Sequence, residues 1–172
     1  MPEGHPDRND DAAAAALLNH ISIPGKNIHR VPATERDGAE RYESEIRGAF
    51  SIFSPSSDKG VPRFDLVFLG MGGDGHTASL FPGRASLEEA QRLVLRVDDA
   101  PKPPACRVTF TLPLVNAARH VALLVTGKEK AAALSRVLLE DAALPAARVR
   151  PTSGTLTILA DAAAVSVSKA AS

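Results

Sequence analysis

Hydrophobic and polar positions alternate along this chain with two different periods. Residues 39–53 place Ala39, Tyr42, Ile46, Ala49, Phe50 and Phe53 at helical spacing, and Thr34 is placed to start that helix. Residues 66–69, LVFL, are apolar in a row, the pattern of a strand covered on both faces. HVALLVTG, from His120, has the same character. LVLRV at 93–97, CRVTFTL at 106–112 and TLTILA at 155–160 read as further strands, and IHRVP at 28–32 as a short one. Asp10 or Asp11 is placed to cap a first helix with Leu17 and Leu18 facing inward. Residues 113–119 form a short helical turn, KEKAAALSRVLLE a longer helix, and DAAAVSVS a capped final one. MPEGHPDRN, SPSSDKGVP, DDAPKPPA and LPAARVRPTSG are loops rich in Pro, Gly, Ser and Asp. Strands alternating with helices predict a parallel, covered α/β sheet.

Composition narrows the partners. The chain has 172 residues, enough for a single domain with a real core, and 44% of them are hydrophobic. Twenty basic residues balance 20 acidic ones with no basic block, which argues against nucleic acid and membrane surfaces as partners. No apolar run is long enough to span a bilayer, and no signal-peptide pattern opens the chain. The single cysteine, Cys106, cannot form an internal disulfide, which fits a reducing cytoplasm, and it reads as a packing residue.

The chemistry concentrates after the first buried strand, in FDLVFLGMGGDGHTASLFPG, residues 64–83. Gly70, Gly72 and Gly75 spell G-x-G-x-x-G, a dinucleotide fingerprint that requires a long helix opening at its last glycine. Pro82 and Gly83 stop any helix within about two turns, so nucleotide binding is disfavoured. A loop at the carboxyl end of a parallel strand is instead where α/β proteins bind ligands. Its glycines offer bare backbone N–H groups to developing negative charge. His76 is a side chain that exchanges protons near neutral pH, and Asp74 is placed to orient it or to hold a substrate hydroxyl. The plainer alternative is that Asp74 and His76 cap a short helix after the loop. No three-ligand metal spacing stands out, so no metal and no cofactor is expected. His5, His20, His29 and His120 lack partner spacing and read as structural or surface residues.

The string LGMGGDGHTASLFPG resembles the signature of 6-phosphogluconolactonases, within the larger fold family that includes glucosamine-6-phosphate deaminases. The resemblance continues through GHPDRND and LLNHISIPGKNIHRVPA, through DAPKPPACRVTFTLPLVNAARHVALLVTGKEKAAAL, and through LPAARVRPTSGTLTILAD, where Ile158 replaces a usual Trp. TASLFPG stands where the deaminase branch has an Asn-Glu-Pro element, which favours the lactonase. The resemblance implies a three-layer αβα fold with a mostly parallel sheet, deaminase/isomerase-like, over a single domain, residues 1–172. It implies hydrolysis of 6-phosphoglucono-1,5-lactone in the oxidative pentose phosphate pathway, a sugar-phosphate lactone being the partner. By the same resemblance His76 is the general base with Asp74 beside it. Gly72, Gly73, Gly75 and Thr77 line the substrate, and Arg107 and Lys130 bind its phosphate, with Lys128 close by. The Gly-Gly-Ser-type loop and Asp-Glu-Arg element that relatives carry upstream have no counterpart here; MPEGHPDRN supplies only Asp7 and Arg8. The expectation is therefore a domain shortened at its N-terminus, with open strand edges and exposed apolar faces that a missing segment or another chain would complete. A shortened inactive or sugar-phosphate-binding relative, or an amino-sugar-phosphate deaminase or isomerase, are the competing readings.

Overall fold

The computed structural model describes residues 8–53 and 60–166. The expected loop over residues 1–7, Asp7 with it, most of the loop at 54–62 and the end of the final helix lie outside the described residues. Three parallel strands form the main sheet: β1 (Leu66–Gly70), β4 (His120–Val125) and β5 (Thr155–Ala160), in the order β1-β4-β5. Leu66 stands opposite His120 and Gly70 opposite Leu124, and β5 continues the register from Thr155 opposite His120. Because all three strands run the same way, their carboxyl ends emerge side by side. The glycine loop follows β1, the turn at Gly127 follows β4, and Asp161 follows β5. This shared edge builds the site.

Two further strands depart from the parallel expectation. β2 (Val94–Val97) and β3 (Arg107–Phe110) pair antiparallel in a separate ribbon, Val94 opposite Phe110. Helix α2 (Gly38–Phe53) packs on this ribbon through Ala39, Tyr42 and Ile46. Its Glu43 accepts hydrogen bonds from the Leu93 and Val94 amides at 2.9 and 3.1 Å, fastening helix to strand. The ribbon core joins the sheet core through aromatic rings: Phe64 stacks on Phe110 at 5.6 Å and meets the Phe50 edge at 5.1 Å.

Helix α3 (Leu112–Ala117) leads into β4, α4 (Ala131–Leu138) connects β4 to β5, and α5 (Ala162–Val165) follows β5. Val67, Leu69, Val121, Leu123 and Val125 turn one sheet face onto Leu134, Val137 and Ala164 of α4 and α5. The alternation of a strand puts Leu66, Phe68, Leu124 and Leu159 on the other side, where they are exposed, Phe68 at 68%. So β1 is not covered on both faces among the described residues. The mostly parallel sheet with flanking helices is present, and an exposed apolar face accompanies it.

Local departures have local causes. Residues 28–32 form no strand, because side chains rather than a ladder engage this segment. The Tyr42 hydroxyl donates to the His29 carbonyl, and the Arg8 guanidinium reaches the Val31 carbonyl. α1 (Asn9–Ala16) begins one residue after Arg8, and neither Asp10 nor Asp11 caps it. Both carboxylates lie in its first turn and pair with Arg8 and Arg30. Leu17 is exposed and Leu18 half-buried, so the inward face of α1 is Ala14 alone. α2 starts at Gly38 rather than Thr34, since residues 33–37 are turns and the first helical bond runs from the Arg41 amide to Asp37. The expected cap on the last helix is present: Asp161 accepts from the Ala164 amide at 2.7 Å.

Candidate active site

No α-helix follows the glycine loop, only a short 3₁₀ turn at Ala85–Glu88. Residues 71–84 fold instead into a compact coil, pinned by isolated bridges between Met71 and Thr77 and between Thr77 and Leu80. This removes both alternatives read from the sequence. There is no helix for Asp74 and His76 to cap, and none whose N-terminus could hold a pyrophosphate.

The loop is built around one side-chain pair. His76 Nδ1 lies 2.5 Å from Asp74 Oδ1, and the same oxygen accepts from the His76 amide at 3.3 Å. A carboxylate only accepts, so Nδ1 carries a proton, and whenever the ring is neutral Nε2 keeps its lone pair. Partial burial pushes the Asp74 carboxyl upward, but the hydrogen bonds from the His76 ring and amide outweigh it, aided by the His76 and Lys102 charges. The carboxyl is held below the usual range and remains a carboxylate. Lys102 Nζ stands 3.7 Å from the other oxygen, Oδ2.

Glycine at 72 makes the pair possible. A Cβ there would run into the His76 ring and stand 2.6 Å from Asp74 Oδ1. Gly75 turns the chain at φ +80° against Leu144, and its carbonyl accepts from the Ala146 amide at 3.0 Å. Gly72 accepts from the Gly75 amide and donates to the His76 carbonyl, both at 2.9 Å. Among the described residues, the amides of Gly73 and Asp74 have no hydrogen-bond partner. They are donors that the loop leaves available for an anionic oxygen.

The other sequence candidates fall as follows. Thr77 is 1% exposed, and its hydroxyl donates to the Gly70 carbonyl at 2.8 Å. Thr77 thus holds the loop from inside. Lys130 ends a short turn of 3₁₀ helix after Gly127, and this turn touches the loop where Gly73 passes the Glu129 carbonyl. Asp161 accepts from the Gly127 amide as well as capping α5, so one carboxylate fixes both neighbours. Arg107 donates from Nε to the Pro104 carbonyl at 3.0 Å and from Nη2 to Lys102 and Pro103 at 2.9 and 3.1 Å. Its guanidinium carbon also lies 5.5 Å from the Phe81 ring centre, and the His76 ring is 4.7 Å from that same ring. Phe81 therefore supports both residues, a role with no signal in the sequence beyond its place in the segment. Cys106 is exposed rather than packed. Among the described residues no group of His, Cys, Asp and Glu is arranged to hold a metal. Of two open clefts, one lined by Arg84, Glu88 and Arg96 and one by Arg63, Leu112 and Arg148, neither is lined by Asp74 or His76.

The family model described as glucosamine-6-phosphate isomerases/6-phosphogluconolactonase matches residues 1–158, and the chain belongs to that family. A 6-phosphogluconolactonase of Rattus norvegicus is 42% identical over 167 residues, which cover 95% of this chain and 63% of the rat protein. One from Homo sapiens is 40% identical over 168 residues, again 95% of this chain and 63% of the relative. The solved structure of 6-phosphogluconolactonase from Thermotoga maritima superposes with a TM-score of 0.77 at 32% identity, over 94% of this chain and 68% of that one. A monomeric glucosamine-6-phosphate deaminase shares the fold, with a TM-score of 0.69 at 18% identity. The chain thus spans less than two thirds of the length of the rat and human proteins it matches.

Proposed function

We propose that this chain carries the catalytic loop of a 6-phosphogluconolactonase, a carboxylic ester hydrolase of the oxidative pentose phosphate pathway. The observation that carries the reading is the Asp74–His76 contact of 2.5 Å on an open loop at the carboxyl end of β1. With Nδ1 donated to Asp74, Nε2 takes a proton from a water as it attacks the lactone carbonyl. The carbonyl oxygen becomes an oxyanion, for which the Gly73 and Asp74 amides are the available donors. Collapse expels the ring oxygen, which leaves as a hydroxyl when the imidazole returns its proton. Lys130, on the turn against Gly73, is the cation for the substrate phosphate. Arg107 contributes through the donor capacity that loop 102–104 does not use.

On this reading the apolar face bearing Phe68 and Leu159, and the free edge of β1, are covered in the active enzyme. A further segment of the same chain or of another chain does so. The chain is assayed alone and co-expressed with the part of the rat relative that it does not match, with 6-phosphogluconolactone as substrate and glucosamine 6-phosphate as control. His76→Ala should abolish turnover beyond spontaneous lactone hydrolysis while leaving substrate binding within about threefold. Turnover that survives the substitution, or activity on the amino sugar alone, overturns the reading.

A further inference from the structure

We propose that Lys102 is a positioning residue for the Asp74–His76 pair, presented to it by the loop that Arg107 clamps. The Asp74 carboxylate has two oxygens, and His76 uses only Oδ1, through both its ring and its amide. The torsion that turns a carboxylate is broad, so one-sided bonding leaves the plane of the group free to rotate away from the imidazole. Lys102 Nζ supplies the second hold, 3.7 Å from Oδ2.

What aims Lys102 is its backbone. Pro101, Pro103 and Pro104 restrict the segment around it, and the Ala100 amide closes the loop on the Ala105 carbonyl at 3.1 Å. Arg107 then gathers the carbonyls of Lys102, Pro103 and Pro104 into one guanidinium. That guanidinium lies by Phe81, and Phe81 carries the His76 ring. The contacts close a circuit: Phe81 to His76, His76 to Asp74, Asp74 to Lys102, and Lys102 through Arg107 back to Phe81. The charged groups around Asp74 are His76 on its own loop and Lys102 on the proline-rich one. The Lys128–Lys130 turn approaches at Gly73 through the Glu129 backbone. An ion pair this exposed contributes almost nothing to folding. Its effect is on orientation, so it should appear in titration and turnover and not in melting.

Lys102→Met, Lys102→Arg and a remote control, Lys26→Met, are compared with the parent chain. The Asp74 carboxyl is titrated by ¹³C NMR, and lactone hydrolysis is measured in the co-expressed form. Lys102→Met should raise the Asp74 midpoint by about half a pH unit and lower kcat about five- to tenfold. KM should stay within about twofold and the melting temperature within about 1 °C. Lys102→Arg should restore both readouts, and Lys26→Met should change neither. An unmoved Asp74 midpoint in Lys102→Met overturns the proposal, as does a loss confined to KM, which would make Lys102 a substrate ligand. The kinetic arm rests on the lactonase reading and the titration does not. A midpoint that moves in a chain without lactone turnover upholds the positioning role and sinks the substrate assignment.

Discussion

Gly72→Ala tests the geometry of the Asp74–His76 pair with one methyl group. Gly72 does not require a left-handed backbone, since the loop turns at Gly75, so alanine is conformationally admissible and the whole effect is steric. The new Cβ would overlap the imidazole, and real Cβ contacts essentially never fall under 3.0 Å. The obstructing atoms belong to the end of a side chain, so the backbone can stay and the ring must withdraw, by about 1 Å or more. Withdrawal breaks the bond from Nδ1 to Asp74. A hydrogen bond to a charged group contributes about 1.5–3 kcal/mol. Asp74 is 36% exposed, so solvent screening brings the loss nearer 1 kcal/mol. In a chain of this size that lowers the melting temperature by about 3 °C. Catalysis should suffer far more, because a base displaced by about 1 Å costs on the order of 100-fold in kcat. The assay pairs lactone hydrolysis in the co-expressed form with a thermal melt and with the imidazole ¹⁵N spectrum, which reports which nitrogen is protonated. Wild-type kcat together with a lost Nδ1 proton signal would refute the idea that the pair drives the reaction. An unchanged imidazole spectrum would refute the steric argument itself.

Substitutions at three further positions probe the frame. Because the Asp74 carboxyl is held below the usual value near 3.8, its contribution to stability is present above that pH and is lost as pH falls through the lowered folded value. Urea melts should therefore show Asp74→Asn less stable than the parent at pH 7, with the gap closing as pH falls through the lowered folded value; a gap independent of pH sinks the assignment. Glu43→Ala leaves the Leu93 and Val94 amides without their acceptor and should cost about 1–3 kcal/mol in denaturant unfolding, whereas Glu43→Gln should retain part of that through its amide oxygen. Asp161→Ala removes both the cap of α5 and the tether of Gly127. A loss of about 1–2 kcal/mol is expected, with faster amide exchange at Gly127; exchange unchanged there would show that the tether does not hold the turn.

The elements legible in the sequence were those whose pattern reports burial. The helical spacing of Tyr42, Ile46 and Phe50 and the apolar runs at 66–69 and 120–125 mark segments that must hide one side from water, and they form α2, β1 and β4. The residues Asp74 and His76 were legible as a pair, because a two-residue spacing on a glycine loop places them within reach by local geometry alone. Residues 28–32 show the limit. Their composition suits a strand, but a strand exists only where a neighbour completes its hydrogen bonds, and here Tyr42 and Arg8 reach the backbone instead.

Legible along the chain was the local chemistry: a histidine with its carboxylate on a glycine loop after an apolar parallel strand, and membership of the family through its motifs. The tertiary structure alone decided the rest. It set β2 and β3 antiparallel, left one face of β1 exposed, buried Thr77, turned Arg107 onto the carbonyls at 102–104 and brought Lys102 to Asp74. The physical reason is separation along the chain. Lys102 and Asp74 lie 28 positions apart, and no periodicity records a contact that depends on how two loops are held by a sheet, a ribbon and a shared aromatic ring.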